Sequence, residues 1–327
     1  MLVNIIKDKV LNGYKITKDE ALNLAKESNL DELLSAADEI RSKFCGCKFN
    51  LCSIINVKSG RCSQDCSYCA QSAHFSTGCD EYDIKQKDEV LKFAKQNELE
   101  NTHRFSLVAS GRGLKSQSKD LVKYTEIYHG LKEGTNLHLC GSFGLMDEDA
   151  LVKLKNLGVQ TYHHNLETSR KHYPKICTTH TYDDRINTIK NAKKAGLDVC
   201  SGGIFGLGES LEDRVDMAID LRDLGVTSVP INILTPIKGT PLENSKPLEH
   251  EEILRSIAIY RFILPDVYLR FAGGRNFLTK SEIKKALHGG INSLLTGNFL
   301  TTAGDCIASD KVLAKEAGFD LSKGADV

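Results

Sequence analysis

The chain has 327 residues, 43 basic and 43 acidic side chains, 41 % hydrophobic and 26 % charged residues. Such a composition fills a large buried core and excludes a disordered or fibrous chain. The zero net charge gives no electrostatic ground for a nucleic-acid or acidic-membrane partner, and no run approaches the roughly 18 apolar residues of a membrane span.

The first forty residues carry an apolar stripe of helical period: Leu22, Leu24, Ala25, Leu30, Leu33, Leu34 and Ala37. No secretory signal pattern stands at the start, where Lys7, Asp8 and Lys9 interrupt the apolar residues. The expected compartment is the cytoplasm, where thiols stay reduced. There the eleven cysteines read as metal or catalytic residues rather than disulfides.

From about residue 50, short β-rich runs alternate with amphipathic helices. The runs are 51–57, 104–109, 136–142, 161–166, 198–205, 228–234, 267–273 and 292–297. Helix candidates at 87–97, 147–156, 183–195 and 212–221 lie between them, and Gly158, Gly196 and Gly225 punctuate helix-to-strand junctions. Eight alternations predict an α/β fold, a (β/α)8 TIM-type barrel, with an open doubly wound sheet as the competitor. The expected organisation is a helical N-terminal extension over 1–48, one barrel over 49–310 and a tail over 311–327. Cys52, Ser106, Cys140, Cys200, Asn232 and Arg270 fall mid-strand. Such groups are costly to bury alone, so the interior is expected to hold something polar.

Cys62, Cys66 and Cys69 follow the first run as C-x3-C-x2-C. Three thiolates in eight residues can wrap one corner of an iron–sulfur cubane and leave the fourth iron open. A structural zinc ion wants four ligands, usually as paired C-x2-C units, and no matching fourth ligand is evident.

This motif resembles the radical S-adenosylmethionine (SAM) enzymes, and Gly202-Gly-Ile-Phe-Gly-Leu-Gly-Glu209 is similar to their later G-x-I-x-G-x-x-E signature. The resemblance extends to the biotin synthase family over about residues 50–310. It is carried by Cys62–Ser72, Tyr162–Ser169, Val199–Glu209, Val229–Leu234, Lys238–Leu242 and Leu269–Arg275. It implies insertion of sulfur into dethiobiotin, with C–H bonds broken by a 5′-deoxyadenosyl radical and sulfur drawn from an auxiliary cluster. It also implies an electron donor such as flavodoxin or ferredoxin, and a homodimer. Other radical SAM barrels, of the hydrogenase-maturase or methylornithine-synthase type, are the alternative.

Residue by residue, the resemblance gives Cys62, Cys66 and Cys69 the SAM-binding 4Fe–4S cluster. Tyr68, Asn165, Glu167, Arg185 and Ile204 fall at SAM-binding positions, with Glu167 where the family has Asp. Asn232 falls at the position that bonds the ureido ring of dethiobiotin; Asn165 and His163 are further substrate contacts. The family's 2Fe–2S cluster uses three cysteines and an arginine. Cys140, Cys200 and Arg270 match, but Ser106 stands where a cysteine is usual, and soft thiolate is much the better iron ligand. Cys52, on the neighbouring strand, looks like the replacement. Two readings stay open. One is a four-iron cluster on Cys52, Cys140 and Cys200, carrying an extra sulfide and supported by Arg104 and Arg270. The other is a retained 2Fe–2S cluster with Cys52 as substitute ligand. Cys45 and Cys47 form a Cys-Gly-Cys of open role, and Cys79, Cys177 and Cys306 are expected to be loop or packing thiols.

Overall fold

The computed structural model describes residues 2–298, 300–301 and 304–323. Three helices come first: α1 (Leu2–Leu11), α2 (Lys18–Glu27) and α3 (Leu30–Cys45). A capping box of Thr17 and Glu20 starts α2, and the Asn29 side chain caps α3. Their apolar stripes are buried, α3 against the later helix α9 (His250–Ile263) and α2 against both α9 and α8 (Leu211–Asp223).

Eight parallel strands then close on themselves. They are β1 (Asn50–Lys58), β2 (Arg104–Ala109), β3 (His138–Ser142), β4 (Thr161–His163), β5 (Asp198–Cys200), β6 (Ser228–Ile233), β7 (Tyr268–Phe271) and β8 (Ser293–Thr296). Neighbours in sequence pair in order, β6 pairs with β7, and β8 returns to β1, so no edge is left. The expected barrel is therefore present, not the open sheet. Helices α4 (Lys87–Leu99), α5 (Lys119–Gly134), α6 (Glu148–Asn156), α7 (Tyr182–Lys194), α8, α9, α10 (Lys280–Leu287) and α11 (Ile307–Glu316) alternate with the strands. Capping boxes at Thr181/Asp184, Ser210/Asp213 and Thr279/Glu282 fix where α7, α8 and α10 begin. Helix α11 runs through residue 310, and Arg275 grips its Asp310 with both oxygens at 2.7 Å. Residues 324–327 of the expected tail lie outside the described residues.

The fifth run is not one strand. It breaks after Cys200 and resumes as Gly203–Phe205, paired to β6. The cause is crowding: a Cβ on Gly202 would sit 1.9 Å from the Pro230 carbonyl oxygen, and one on Gly203 would sit 2.4 Å from that of Glu167. Only glycines let three strand ends meet there. The fourth run likewise pairs only over Thr161–His163, after which 164–167 bond across to Cys200 and Gly202.

The Gly202→Ala chain is therefore expected to lose about 1–3 kcal/mol or more of stability through overpacking. Gly130→Ala, inside α5 and facing only the flexible Lys87 side chain, is expected to gain up to about 1 kcal/mol. Thermal denaturation of the two variants beside the parent checks both signs.

Candidate functional site

A cavity of about 380 Å³ runs down the barrel. Tyr68 and Cys69 line its mouth. Asn165, Glu167, His163, Ile204 and Asn232 line its middle, and Cys52, Arg104, Ser106, Cys140, Cys200 and Arg270 line its depth. Inward-pointing residues alternate along the strands, so Cys52 with Ile54, and Arg104 with Ser106 and Val108, reach one space. Register places Cys52 opposite Arg104, and Ser106 opposite both Ile54 and Cys140.

In the depth, all three thiols are buried. Their contacts are weak: Cys52 with the Ser53 carbonyl at 3.8 Å, Cys140 with that of His138 at 3.9 Å and Cys200 with the Ser228 hydroxyl at 3.5 Å. Burial pushes the Cys140 thiol up to about 12, with Cys52 and Cys200 raising it and the two arginines opposing. Burial raises Cys52 as well, against the pull of Arg270 and Arg104. Arg104 is 1 % exposed and Arg270 3 %. Arg270 donates to Ser293 Oγ and Asn50 Oδ1, both at 2.9 Å. Arg104 donates to Thr161 Oγ1 at 3.4 Å, while its Nη2 and the Ser106 hydroxyl have no partner among the described residues. Neither arginine forms an ion pair with a described carboxylate. Two buried cations facing soft sulfur donors and orphaned polar atoms fit an anionic iron–sulfur group.

The middle is organised by Arg185 on α7. It donates to the Asn165 carbonyl at 2.7 Å and to the Tyr173 hydroxyl at 2.5 Å, and stands 3.7 Å from a Glu167 oxygen. Asn165 links onward to Glu167 at 3.2 Å and accepts from Gly202 N–H at 3.1 Å. Glu167 holds φ = 71°, an unusual value for a side chain with Cβ, locked by a backbone bridge to Gly203. Asn232 donates to the Gly203 carbonyl at 3.1 Å and accepts from Gly273 N–H at 2.9 Å, leaving one N–H and one lone pair for the cavity. His163 is neutral at pH 7: burial brings it down to about 4.

At the mouth, Cys62, Cys66 and Cys69 sit on one tight loop. Cys69 N–H bonds the Cys66 carbonyl at 2.9 Å, and Cys62 pairs with the 71–73 segment. Cys62 and Cys69 are partly exposed and Cys66 is buried. Sequence reasoning missed one neighbour. Cys177, expected to be a packing thiol, lies with its Sγ 3.8 Å from that of Cys66. The two positions are 111 residues apart, so no local spacing could signal the contact. Cys45 lies elsewhere, its sulfur 3.6 Å from the buried Arg261 guanidinium and not in the cavity.

A model of the radical SAM superfamily matches residues 56–221, and one of the biotin and thiamin synthesis associated domain matches 230–320. A biotin synthase of Campylobacter hominis is 62 % identical over 322 residues, 98 % of each chain. One of Fusobacterium nucleatum is 56 % identical, covering 98 % of this chain and 90 % of its own. Among solved structures, a methylornithine synthase superposes with a TM-score of 0.84 at 22 % identity over 97 % of both chains, a likeness of fold alone. With both domain models and near-full-length identity of this order, the chain belongs to the biotin synthase family of the radical SAM superfamily.

Proposed function

We propose that this chain divides its barrel into an electron-receiving mouth and a sulfur-holding depth. The two are joined by the Asn165–Glu167–Asn232 belt that binds SAM and dethiobiotin. The observation that carries the reading is the pair of buried guanidiniums, Arg104 and Arg270, which share the cavity with three thiols and form no ion pair with a carboxylate among the described residues. The family works with S-adenosylmethionine and iron–sulfur clusters. Cys62, Cys66 and Cys69 would hold the SAM-binding 4Fe–4S cluster, and Cys52, Cys140 and Cys200 the auxiliary one. When bound, these groups supply a 5′-deoxyadenosyl radical at the mouth and sulfur from the depth.

The chain's own residues set the geometry. Arg185 fixes the Asn165 carbonyl and, with it, the shelf that carries Glu167. That carboxylate and the Tyr68 ring face the same space and suit the ribose and adenine of SAM. Asn232, with one donor and one acceptor still free, suits the ureido group of dethiobiotin, which presents both. His163, neutral and lining the same space, adds a donor or an acceptor according to tautomer.

A four-iron auxiliary cluster is favoured over 2Fe–2S by the state of Arg270. A guanidinium that ligates iron must give up a proton for a lone pair. Arg270 instead spends two N–H groups on Ser293 and Asn50, and although burial works to lower its pKa, Cys52, Cys200 and Cys140 together outweigh that and hold the guanidinium charged. That leaves three protein thiolates, the ligand count of a cubane with one iron free for an exogenous sulfide. Arg104 Nη2, unpartnered among the described residues, would offset the sulfide's charge. The electron donor is flavodoxin or ferredoxin and the oligomer a homodimer, on family grounds, in a reducing cytoplasm that disfavours disulfides.

Three outcomes test this. The Cys62/Cys66/Cys69→Ala triple variant, handled anaerobically, retains about four irons per chain with excess sulfide; about two irons would return the site to 2Fe–2S, and none would remove the auxiliary cluster from the account. Iron analysis of single variants in that background shows Cys52→Ser depleting the cluster and Ser106→Ala leaving it. Cys66→Ala abolishes reductant-dependent release of 5′-deoxyadenosine from SAM, measured by chromatography, while its auxiliary iron persists.

A further inference from the structure

Cys177 is not explained by the cluster reading. It is buried in the segment between the barrel's fourth strand and α7, and three of its contacts are polar groups. Cys66 Sγ lies at 3.8 Å, His180 Nδ1 at 3.2 Å and Asp65 Oδ1 at 3.3 Å. Cys66, Cys177 and His180 are all buried, and their ligand atoms lie within 4.8 Å of one another.

These distances have a specific chemical meaning. Two thiolates bonded at about 2.3 Å to one tetrahedral ion stand about 3.8 Å apart, and a thiolate and an imidazole nitrogen about 3.5 Å. The sulfur pair already has that separation, the His180 nitrogen stands 3.2 Å from the Cys177 sulfur, and a small rotation of the ring closes its distance to Cys66, since all three ligand atoms lie within 4.8 Å of one another. Two thiolates on different irons of a cubane stand much farther apart. Cys177 in this position therefore does not complement Cys66 as a second cluster ligand; it complements Cys66 around a single ion.

The surroundings fit as well. His180 Nε2 lies 2.8 Å from the Tyr173 hydroxyl, which Arg185 fixes from the other side. That hydroxyl accepts an Nε2–H as readily as it donates to a bare Nε2, so it can hold the tautomer that frees Nδ1 for a metal. Gln64 Oε1, 2.8 Å from Nδ1, takes the proton of the other tautomer. Asp65 is locked by the backbone N–H of Thr178 at 2.9 Å and the Thr179 hydroxyl at 2.9 Å, which places a carboxylate beside the sulfur pair.

We propose that Cys66, Cys177 and His180 form a mononuclear site for a thiophilic divalent cation, Zn²⁺ by its ligand set, which the chain fills when Cys66 is not engaged in the SAM-binding cluster. Binding releases two thiol protons to solvent and involves no redox change. Water takes the fourth position, as at zinc sites with three protein ligands. One consequence rests on the functional reading above: because Cys66 belongs to both sites, zinc and the SAM-binding cluster exclude each other.

The test is a Co²⁺ titration of the cluster-stripped full-length chain, followed by thiolate-to-cobalt charge-transfer and tetrahedral ligand-field absorption. The parent is expected to bind one equivalent that Cys177→Ser and His180→Gln both lose, while Cys62→Ser and Cys69→Ser keep it. Circular dichroism establishes that each variant is folded. Loss in Cys62→Ser or Cys69→Ser, with binding kept in Cys177→Ser, would assign the ion to the loop triad and overturn the proposal. So would spectra identical in parent and Cys177→Ser. This arm does not depend on the cluster assignment. A second arm adds Zn²⁺ before anaerobic reconstitution with iron and sulfide. Zinc is expected to suppress the mouth cluster in the parent and not in Cys177→Ser. Equal reconstitution in both, with the cobalt site intact, would refute mutual exclusion alone.

Discussion

Two guanidinium groups lie inside the barrel without a carboxylate among the described residues to answer them. Uncompensated, a buried charge costs several kcal/mol after relaxation, and most barrel interiors avoid the problem with branched apolar side chains. Here β2 and β7 each give up an inward position to arginine, and β1, β3 and β5 each give up one to cysteine. Something negative joining the arrangement removes that cost. On the proposed cluster assignment, three thiols that become thiolates on binding metal provide that, because metal binding displaces their protons. The protein's polar core is thus a prepared counter-charge, and the hydrogen bonds from Arg270 to Ser293 and Asn50 hold it in place beforehand.

The second constraint is steric. Strand β5 must stop at Cys200 so that its thiol faces the depth, and the chain must restart at Gly203 so that Glu167 and Asn232 can bond across it. Gly202 and Gly203 make both possible by leaving no Cβ in the way. The left-handed conformation of Glu167 is the visible strain of this junction. It is tolerated because the backbone bridge to Gly203 and the Asn165 and Arg185 contacts determine that position several times over.

Much of this was legible in the chain. Hydrophobic rhythm and glycine punctuation gave eight strands, since a parallel barrel strand is short and apolar and its helix amphipathic. The loop cysteines were legible because their chemistry depends on close spacing, which sequence preserves. The break at 201–202 was not, because β-rich composition continues through it and the obstruction is the Pro230 carbonyl, a tertiary neighbour. Nor was the pairing of Cys177 with Cys66. Its three-residue offset from His180 places both on one turn, but only the fold brings that turn under the loop. Asn232 was legible as a polar mid-strand residue, while its two backbone partners, Gly203 in the segment after the break and Gly273 in the turn after β7, lie in other parts of the chain.

The mouth and the depth differ in how their arginines are answered, and that difference sorts the ligands. Arg185 has a carboxylate of its own in Glu167, with the Tyr173 hydroxyl and the Asn165 carbonyl completing its bonds. A region so balanced has no electrostatic demand for a further anion, which agrees with the proposed place of SAM, a ligand with a sulfonium, an ammonium and only one carboxylate. Among the described residues, Arg104 and Arg270 meet uncharged groups instead, Thr161, Ser293 and Asn50, with the Tyr268 ring 5.9 Å from Arg104. Their region demands net negative charge and keeps it, since an anion leaving that depth would leave two buried cations behind. In the proposed site, dethiobiotin, neutral at its ureido ring, sits between them at Asn232. The proposed order of ligands along the barrel axis thus follows from which arginine the chain itself neutralises.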